Sequence, residues 1–306
     1  MRKHTGQGDE RLSDAVTQQA MNEEAVAHAR RTERSGELSW AHLFSEYTQD
    51  PEKIADSLAT GVALAWCLAR TDEDAGGVYR WTNAVTRSEI RDQYEELRQT
   101  FHIKGWQALV EIRTGWYDMM HGVSTLYFPA TETTTQAETV VLFPVGEDGI
   151  LGELQPGVAG RLADGKAPHD DDRLPHRRMA ALADNVAYIE ALRNEDAKAI
   201  ADAHIPDGSL AIRNYLTDVS SLLSVDGAAD IEAYFSELFQ KYRVLDVQMV
   251  NRAVETWYVF ADLHWVVEER GGAGRTLEFC TAELGSLDTD RRFLVRTGSG
   301  TDPVEV

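Results

Sequence analysis

Cysteine is almost missing from this chain. Cys67 and Cys280 are the two in 306 residues, and they lie far apart. That is too few for a disulfide framework or a sulfur-ligated metal cluster. Both read as small buried apolar residues in a reducing, cytoplasmic setting. Long hydrophobic runs are lacking as well. No stretch of about 18 apolar residues occurs, so no membrane-spanning helix is expected. Residues 1–14 place no apolar segment behind Arg2 and Lys3, which is not the pattern of a secretory signal. Positive charge is scarce: 30 Lys and Arg stand against 51 Asp and Glu, and six of the basic residues are lysine. Nucleic-acid binding needs a cationic surface to replace counterions, so it is not expected at a net charge of −21. The acidity reads as a solvated surface that maintains solubility. No Walker loop, dinucleotide fingerprint, nucleophile elbow or zinc-ligand spacing is present, and neither a cofactor nor a metal is implied.

What is present is enough apolar material, 43% of residues, for two domains of ordinary size. Helical spacing predicts a helix from Ser13 toward Arg34, broken at Gly36, and a second over Leu38–Tyr47. Asp50-Pro51 opens a third, read over residues 52–70, with proline in the tolerated first turn. A strand over 78–85 and a helix capped by Thr86 or Ser88 follow, then strands over 107–112, 116–128, 138–144 and 150–154. Residues 156–176 are rich in Gly, Pro and Asp and read as a linker. Its group of His169, Asp170, Asp171, Asp172 and His176 reads as solvated rather than metal-binding. Beyond it come helices over 178–193 and 197–204, a strand over 209–215, a helix over 228–242 and four strands.

The two halves are related. Displaced by 257 − 116 = 141 residues, Glu89–Tyr117 lies over Asp230–Tyr258 without a gap, with seven identities in 29 positions. They include Ile90/Ile231, Leu97/Leu238, Trp116/Trp257 and Tyr117/Tyr258. A repeat of this size means two copies of a domain, residues 12–155 and 177–300. The extra length of the first copy is assigned to the helix over 52–70. Helices come first in each copy and a strand meander last, an α+β pattern.

The stretch Glu255–Glu269 reads as one long strand. One parity carries Trp257, Val259, Ala261, Leu263, Trp265 and Val267; the other carries Tyr258, Phe260, Asp262, His264 and Val266. In the repeat register the second set matches Tyr117, Met119 and His121. Three readings remain open. The aromatic and ionisable parity lines a pocket, or the apolar parity fills the core while Asp262 and His264 face outward, or the apolar parity forms a sheet-to-sheet interface. His42, His102 and His204 read as single surface or capped histidines.

The element order, the segments Gly36-Glu-Leu-Ser-Trp-Ala and Asn194-Glu-Asp-Ala-Lys-Ala, the turn Pro206-Asp207-Gly208 and the helix start Asp230-Ile-Glu-Ala-Tyr-Phe resemble the SnoaL-like and nuclear transport factor two-like superfamily. The resemblance implies two cone-shaped domains, each a curved antiparallel sheet around helices with an apolar pocket. Members include small-molecule isomerases, epoxide hydrolases, dehydratases and cyclases as well as non-catalytic carriers, so fold alone does not settle function. The expectation is cofactor-independent acid–base chemistry on a small apolar or aromatic molecule. His121, Asp262, His264 and Glu283 would be the proton carriers, and Tyr117, Met119, Tyr215, Tyr258 and Phe260 would form the pocket. Glu283 falls where ketosteroid isomerase carries a protonated aspartate; no carboxylate stands at that enzyme's catalytic base, near residues 212–214. The arginine of the epoxide-hydrolase pattern is missing too. The alternative is a non-catalytic ligand-binding or interaction protein whose copies form an intramolecular pseudo-dimer, with homo-oligomers also possible.

Overall fold

The computed structural model describes residues 7–58, 64–69, 79–84, 86–147, 149–159, 174–213, 222–271 and 274–306. The first copy contains α1 (Gln7–Glu46), α2 (Pro51–Asp56), β1 (Leu64–Ala69), β2 (Tyr79–Ala84), α3 (Arg87–Thr100), β3 (His102–Arg113), β4 (Tyr117–Phe128), β5 (Thr133–Gly146), β6 (Gly149–Ile150) and β7 (Leu154–Ala159). The second contains α4 (Leu174–Arg193), α5 (Ala197–Asp202), β8 (His204–Arg213), β9 (Leu222–Asp226), α6 (Ala228–Lys241), β10 (Tyr242–Val254), β11 (Tyr258–Glu269), β12 (Thr276–Leu287), β13 (Phe293–Gly300) and β14 (Val304–Glu305). Among the described residues no helix is long and apolar enough to cross a membrane.

The two copies share one topology. The first sheet runs β2-β1-β7-β5-β4-β3 and the second β9-β8-β13-β12-β11-β10. In each, one parallel pair, β1/β7 or β8/β13, interrupts an antiparallel order. Irregularities coincide as well. The β3/β4 ladder shifts between Ile103/Gly105 and Ala108/Val110, and the β10/β11 ladder between Val244/Asp246 and Met249/Asn251. Each lies 141 residues from its counterpart, so the displacement read from the sequence holds through bulge and pleat. Bulges set local twist, and their coincidence means two sheets of the same shape.

Local signals account for the helices. Thr86 and Glu89 form a reciprocal capping box on α3. Asp50 and Asp196 cap α2 and α5. Gln49 and Glu195, just before these caps, both take positive φ (57° and 55°), which aligns α1–α2 with α4–α5 at a displacement of 146.

Three expectations are corrected. Gly36 does not end a helix; α1 runs through it to Glu46. A Cβ there would meet the tip of the Arg113 side chain, which reaches α1 from β3 at this point. Residues 52–70 are not one helix: α2 stops at Asp56, and Leu64–Ala69 is a strand hydrogen-bonded to β2 and β7. An apolar run of six residues fits strand or helix equally, and sheet pairing decided. The strand expected over 209–215 starts earlier, at His204, and ends at Arg213. Tyr215 lies outside the described residues, as do His169 and Asp170–Asp172, whereas His176 belongs to α4.

Each sheet packs one face on its own helices. In the second copy Val259, Ala261, Leu263, Trp265 and Val267 meet Tyr188, Ile189, Leu192, Phe235 and Leu238. In the first, Met120, Val141 and Phe143 meet Leu43, Ile54, Ile90 and Tyr94. Each such side chain, fully buried, contributes about 1.5–3 kcal/mol. The opposite faces pack on each other: Tyr117, Met119, Val140 and Leu142 form one cluster with Tyr258, Phe260, Ala282 and Leu284. These are equivalent positions in the two copies, so the contact is self-complementary, as in a two-fold dimer.

Candidate functional site

The parity question is answered by this packing. The apolar parity of β11 faces the second copy's helices; Tyr258, Phe260 and Asp262 face the first copy's sheet. The structure does bring most of the expected site residues together, but between the sheets rather than in a cone. Tyr117 Oη donates to Asp262 Oδ2 at 2.9 Å, and Asn251 Nδ2 donates to the same oxygen at 3.1 Å. Burial raises the Asp262 carboxyl, and these two donors oppose the rise. The His121 ring stacks edge-on to Tyr258, with ring centres 5.2 Å apart, and Nε2 lies 3.4 Å from Glu138. Met119 is fully buried in the same seam. His264 is half-buried and 2.6 Å from Glu278 Oε1. None of these side chains opens into the cavity described below.

His264→Ala is therefore expected to leave any turnover within about twofold and stability within about 0.5 kcal/mol. Parallel assays of turnover and thermal unfolding check this. A tenfold loss of activity with the fold intact would put the site back on this face.

Glu283 does face its cone, and it is completely buried. It is not a lone carboxyl among apolar neighbours. Arg296 Nε donates to its Oε2 at 2.6 Å and Thr281 Oγ1 to its Oε1 at 2.7 Å. Arg296 also donates to Asn185 Oδ1 at 3.0 Å, and its guanidinium lies 4.1 Å from the ring centre of Tyr188. With Trp265 stacked on Phe279, this pair takes up the interior of the second cone.

The first cone differs at the matching places. Ser124 stands where the second copy has Trp265 (265 − 141 = 124). Opposite Tyr117 and Tyr258 the strand partners are Pro144 and Ser286, which aligns Val141 with Glu283. Leu142 pairs with Leu154 and Leu284 with Thr297, so Glu153 occupies the place of Arg296. Smaller side chains leave a cavity of about 120 Å³, close to the ~150 Å³ of apolar cavities that admit benzene. Its wall is mostly apolar and aromatic, including Tyr47, Leu97, Phe101 and Trp106. The Trp106 indole donates to Thr139 Oγ1 at 3.2 Å. It also crosses over Gly122, where a Cβ would collide with it.

Three polar groups line this wall, Glu46, Tyr94 and Glu153, and His42 lies behind them in contact with all three. His42 and Glu46 lie one turn apart on α1 and so share a face. Tyr94 comes from α3, and Glu153 precedes β7. Tyr94 Oη donates to Glu153 Oε2 at 2.5 Å. His42 Nε2 is 3.3 Å from Tyr94 Oη, 3.4 Å from Glu46 Oε1 and 3.5 Å from Glu153 Oε2. Ser57 fixes the imidazole. Its hydroxyl donates to Ile54 O, so at 2.6 Å it must accept from His42 Nδ1–H. The proton that comes and goes is therefore the one on Nε2, toward the carboxylates.

Burial disfavours charge on His42, but Glu153 and Glu46 outweigh it and push the imidazole up to about 9. Burial and then the Glu153 charge push Glu46 up to about 7, against the pull of His42. Tyr94 is raised well above its ordinary range, first by burial and then by both carboxylates. The donor atoms of His42, Glu46 and Glu153 lie within 4.8 Å of one another, compact enough for a cation to sit among them. Sequence reading had set His42 aside as a single histidine. The signal it carried was Glu46 at i+4; Glu153, Tyr94 and Ser57 are remote in sequence and had none.

No protein-family profile and no curated protein matches this chain. Solved structures do match it over part of its length. An LEH-like epoxide hydrolase from M. tuberculosis shares 13% identity over 40% of this chain and 84% of its own, at a TM-score of 0.34. A protein described provisionally as a SnoaL-like polyketide cyclase, from Jannaschia, shares 15% over 42% and 90%, at 0.35. A nuclear transport factor two-like protein of unknown function from Burkholderia xenovorans shares 15% over 44% and 90%, at 0.32. These matches cover 40–44% of this chain, which carries helices packed on two sheets of one topology.

Proposed function

We propose that this chain is a cofactor-independent enzyme that acts on a small, largely apolar molecule by acid–base chemistry in the first cone. The observation that carries the reading is an apolar cavity with two buried carboxyl groups and a phenol at one wall, backed by the buried His42 imidazole. Pairs of titratable groups with separated proton affinities mark acid and base assignments. Glu46, held near neutrality, and the Glu153–Tyr94 pair can exchange protons with the ligand, and His42 Nε2 can reset either one. The groups that meet the ligand share one wall, so protons would be taken from and returned to the same face. That suits an isomerisation, a dehydration or a cyclisation. The second copy, its cone filled, serves as a built-in partner.

The test is a thermal-shift screen with terpenoid, steroid and aromatic compounds, run in parallel on Ser124→Trp. That substitution repeats the second copy's tryptophan in the first cone. Hits are expected to stabilise the natural chain and to leave the variant unmoved, and turnover should fall at least about a hundredfold, since misplaced groups lose that much. Hits that stabilise both equally would place the ligand elsewhere and sink the reading. A ligand bound in the cone but returned unchanged would favour a carrier.

A further inference from the structure

We propose that the ligand of the first cone is a small organic cation, an ammonium or amidinium group on an apolar body. The inference rests on the cone being the binding site. Its warrant is the comparison of the copies. In the second cone the chain supplies its own organic cation: the Arg296 guanidinium is fully buried, paired with Glu283, and lies over the rings of Tyr188 and Phe293 at 4.1 and 4.8 Å. A carboxylate on one side and aromatic faces on the other is how proteins hold such cations in dry surroundings.

The first cone drops the cation and its matched partners, Val141 standing for Glu283, and sets carboxylates and aromatic rings around the space from other positions. Glu153 replaces Arg296, His42 replaces Tyr188 (188 − 146 = 42), and Tyr47, Phe101 and Trp106 line the space. Among the lining residues the charged ones are Glu46, Glu153 and Arg98. Arg98 is half-exposed and held by Glu95 through two hydrogen bonds, at 3.1 and 2.5 Å. Behind the wall, the His42 imidazolium balances one of the two carboxylates. Burial first and then the Glu153 charge push Glu46 up, so a cation beside the pair would favour the ionised form of Glu46. A monocation entering the cavity would complete the charge as Arg296 does in the other copy. A carboxylate or phosphate ligand would meet like charge at low dielectric. The net charge of −21 also draws cations toward the surface.

The experiment is titration calorimetry of the full chain with three ring compounds of nearly one shape: benzamidine, neutral benzamide and benzoate. Zn²⁺ and Mn²⁺ are separate arms, and the Trp106 indole N–H, assigned through Trp106→Phe, reports the site by NMR. Benzamidine is expected to bind at least tenfold more tightly than benzamide, to move the Trp106 signal, and to weaken at least tenfold in Glu46→Gln; benzoate is expected not to bind. The charge series needs no variant, so it stands if Glu46→Gln does not fold. Equal binding of benzamidine and benzamide in the cone would overturn the cation claim and leave the cone reading in place. Zn²⁺ or Mn²⁺ competing benzamidine away would overturn it in favour of a metal centre. Silence of the Trp106 signal to every probe would remove the cone reading as well.

Discussion

Glu153→Gln is expected to lower turnover by about 10²–10⁴-fold with the fold intact, the range lost with a positioned acid or base. The replacement keeps the shape and an acceptor for Tyr94 and removes only the charge. In the natural chain Glu46 is pushed up to about 7 and His42 up to about 9. Glu46 must be ionised to take a proton and His42 charged to restore one, so kcat/KM should follow a bell with limbs near those values. Glu153 raises both groups, so its neutralisation should move both limbs to lower pH. A merely structural role would lower the rate without moving the limbs. Stability has a matching sign. His42 is raised from 6.5, so its contribution is complete below about pH 6.5 and is lost as pH rises through about 9. Glu46 is raised from 4.5 and acts in the same direction between about 4.5 and 7. The natural chain should therefore weaken by about 3–5 kcal/mol from pH 6 to pH 9.5, and Glu153→Gln by less. Thermal unfolding across that range checks it. A flat natural profile would mean that the cluster is not buried and charged as described.

Glu283→Ala should cost about 3–5 kcal/mol, the largest stability loss expected of a substitution here, because it leaves the Arg296 guanidinium buried without its carboxylate. Both side chains are completely shielded from solvent, and Thr281 and Asn185 are drawn into the same network. Removing both charges together is a different matter. Glu283→Leu with Arg296→Met keeps volume and strands no charge, so it should lie within about 1 kcal/mol of the natural chain or above it. At about 2–4 °C per kcal/mol, the single variant should melt roughly 6–20 °C lower. Chemical denaturation of the two variants side by side decides it. A single variant as stable as the double would mean that water reaches Arg296, and the second cone would not be filled.

Much of the fold was legible. Trp116/Trp257, Tyr117/Tyr258 and the α3/α6 identities revealed the repeat because a strand pair and its bulges need the same local pattern in both copies. Alternation along Glu255–Glu269 revealed a strand with one fully apolar face. Leu64–Ala69 reads as helix and is a strand, because six apolar residues carry no period that separates the two. The site was hardly legible. Tyr117, His121 and Asp262 drew attention as ionisable groups behind rings, and that pattern is produced equally well by a seam between two sheets.

The sequence by itself determined most of the elements, the tandem plan, the apolar parity of the Glu255–Glu269 strand and the net negative charge. These follow from spacing and charge, which are local or additive. Tertiary structure alone decided which face looks into a cone, which cone is open, and that His42, Glu46, Tyr94 and Glu153 meet. Burial depends on what the other copy covers, and proton affinity depends on neighbours more than a hundred residues away. Exchange of Trp265 for Ser124 and of Arg296 for Glu153 between matched positions takes on meaning only once the strands are paired.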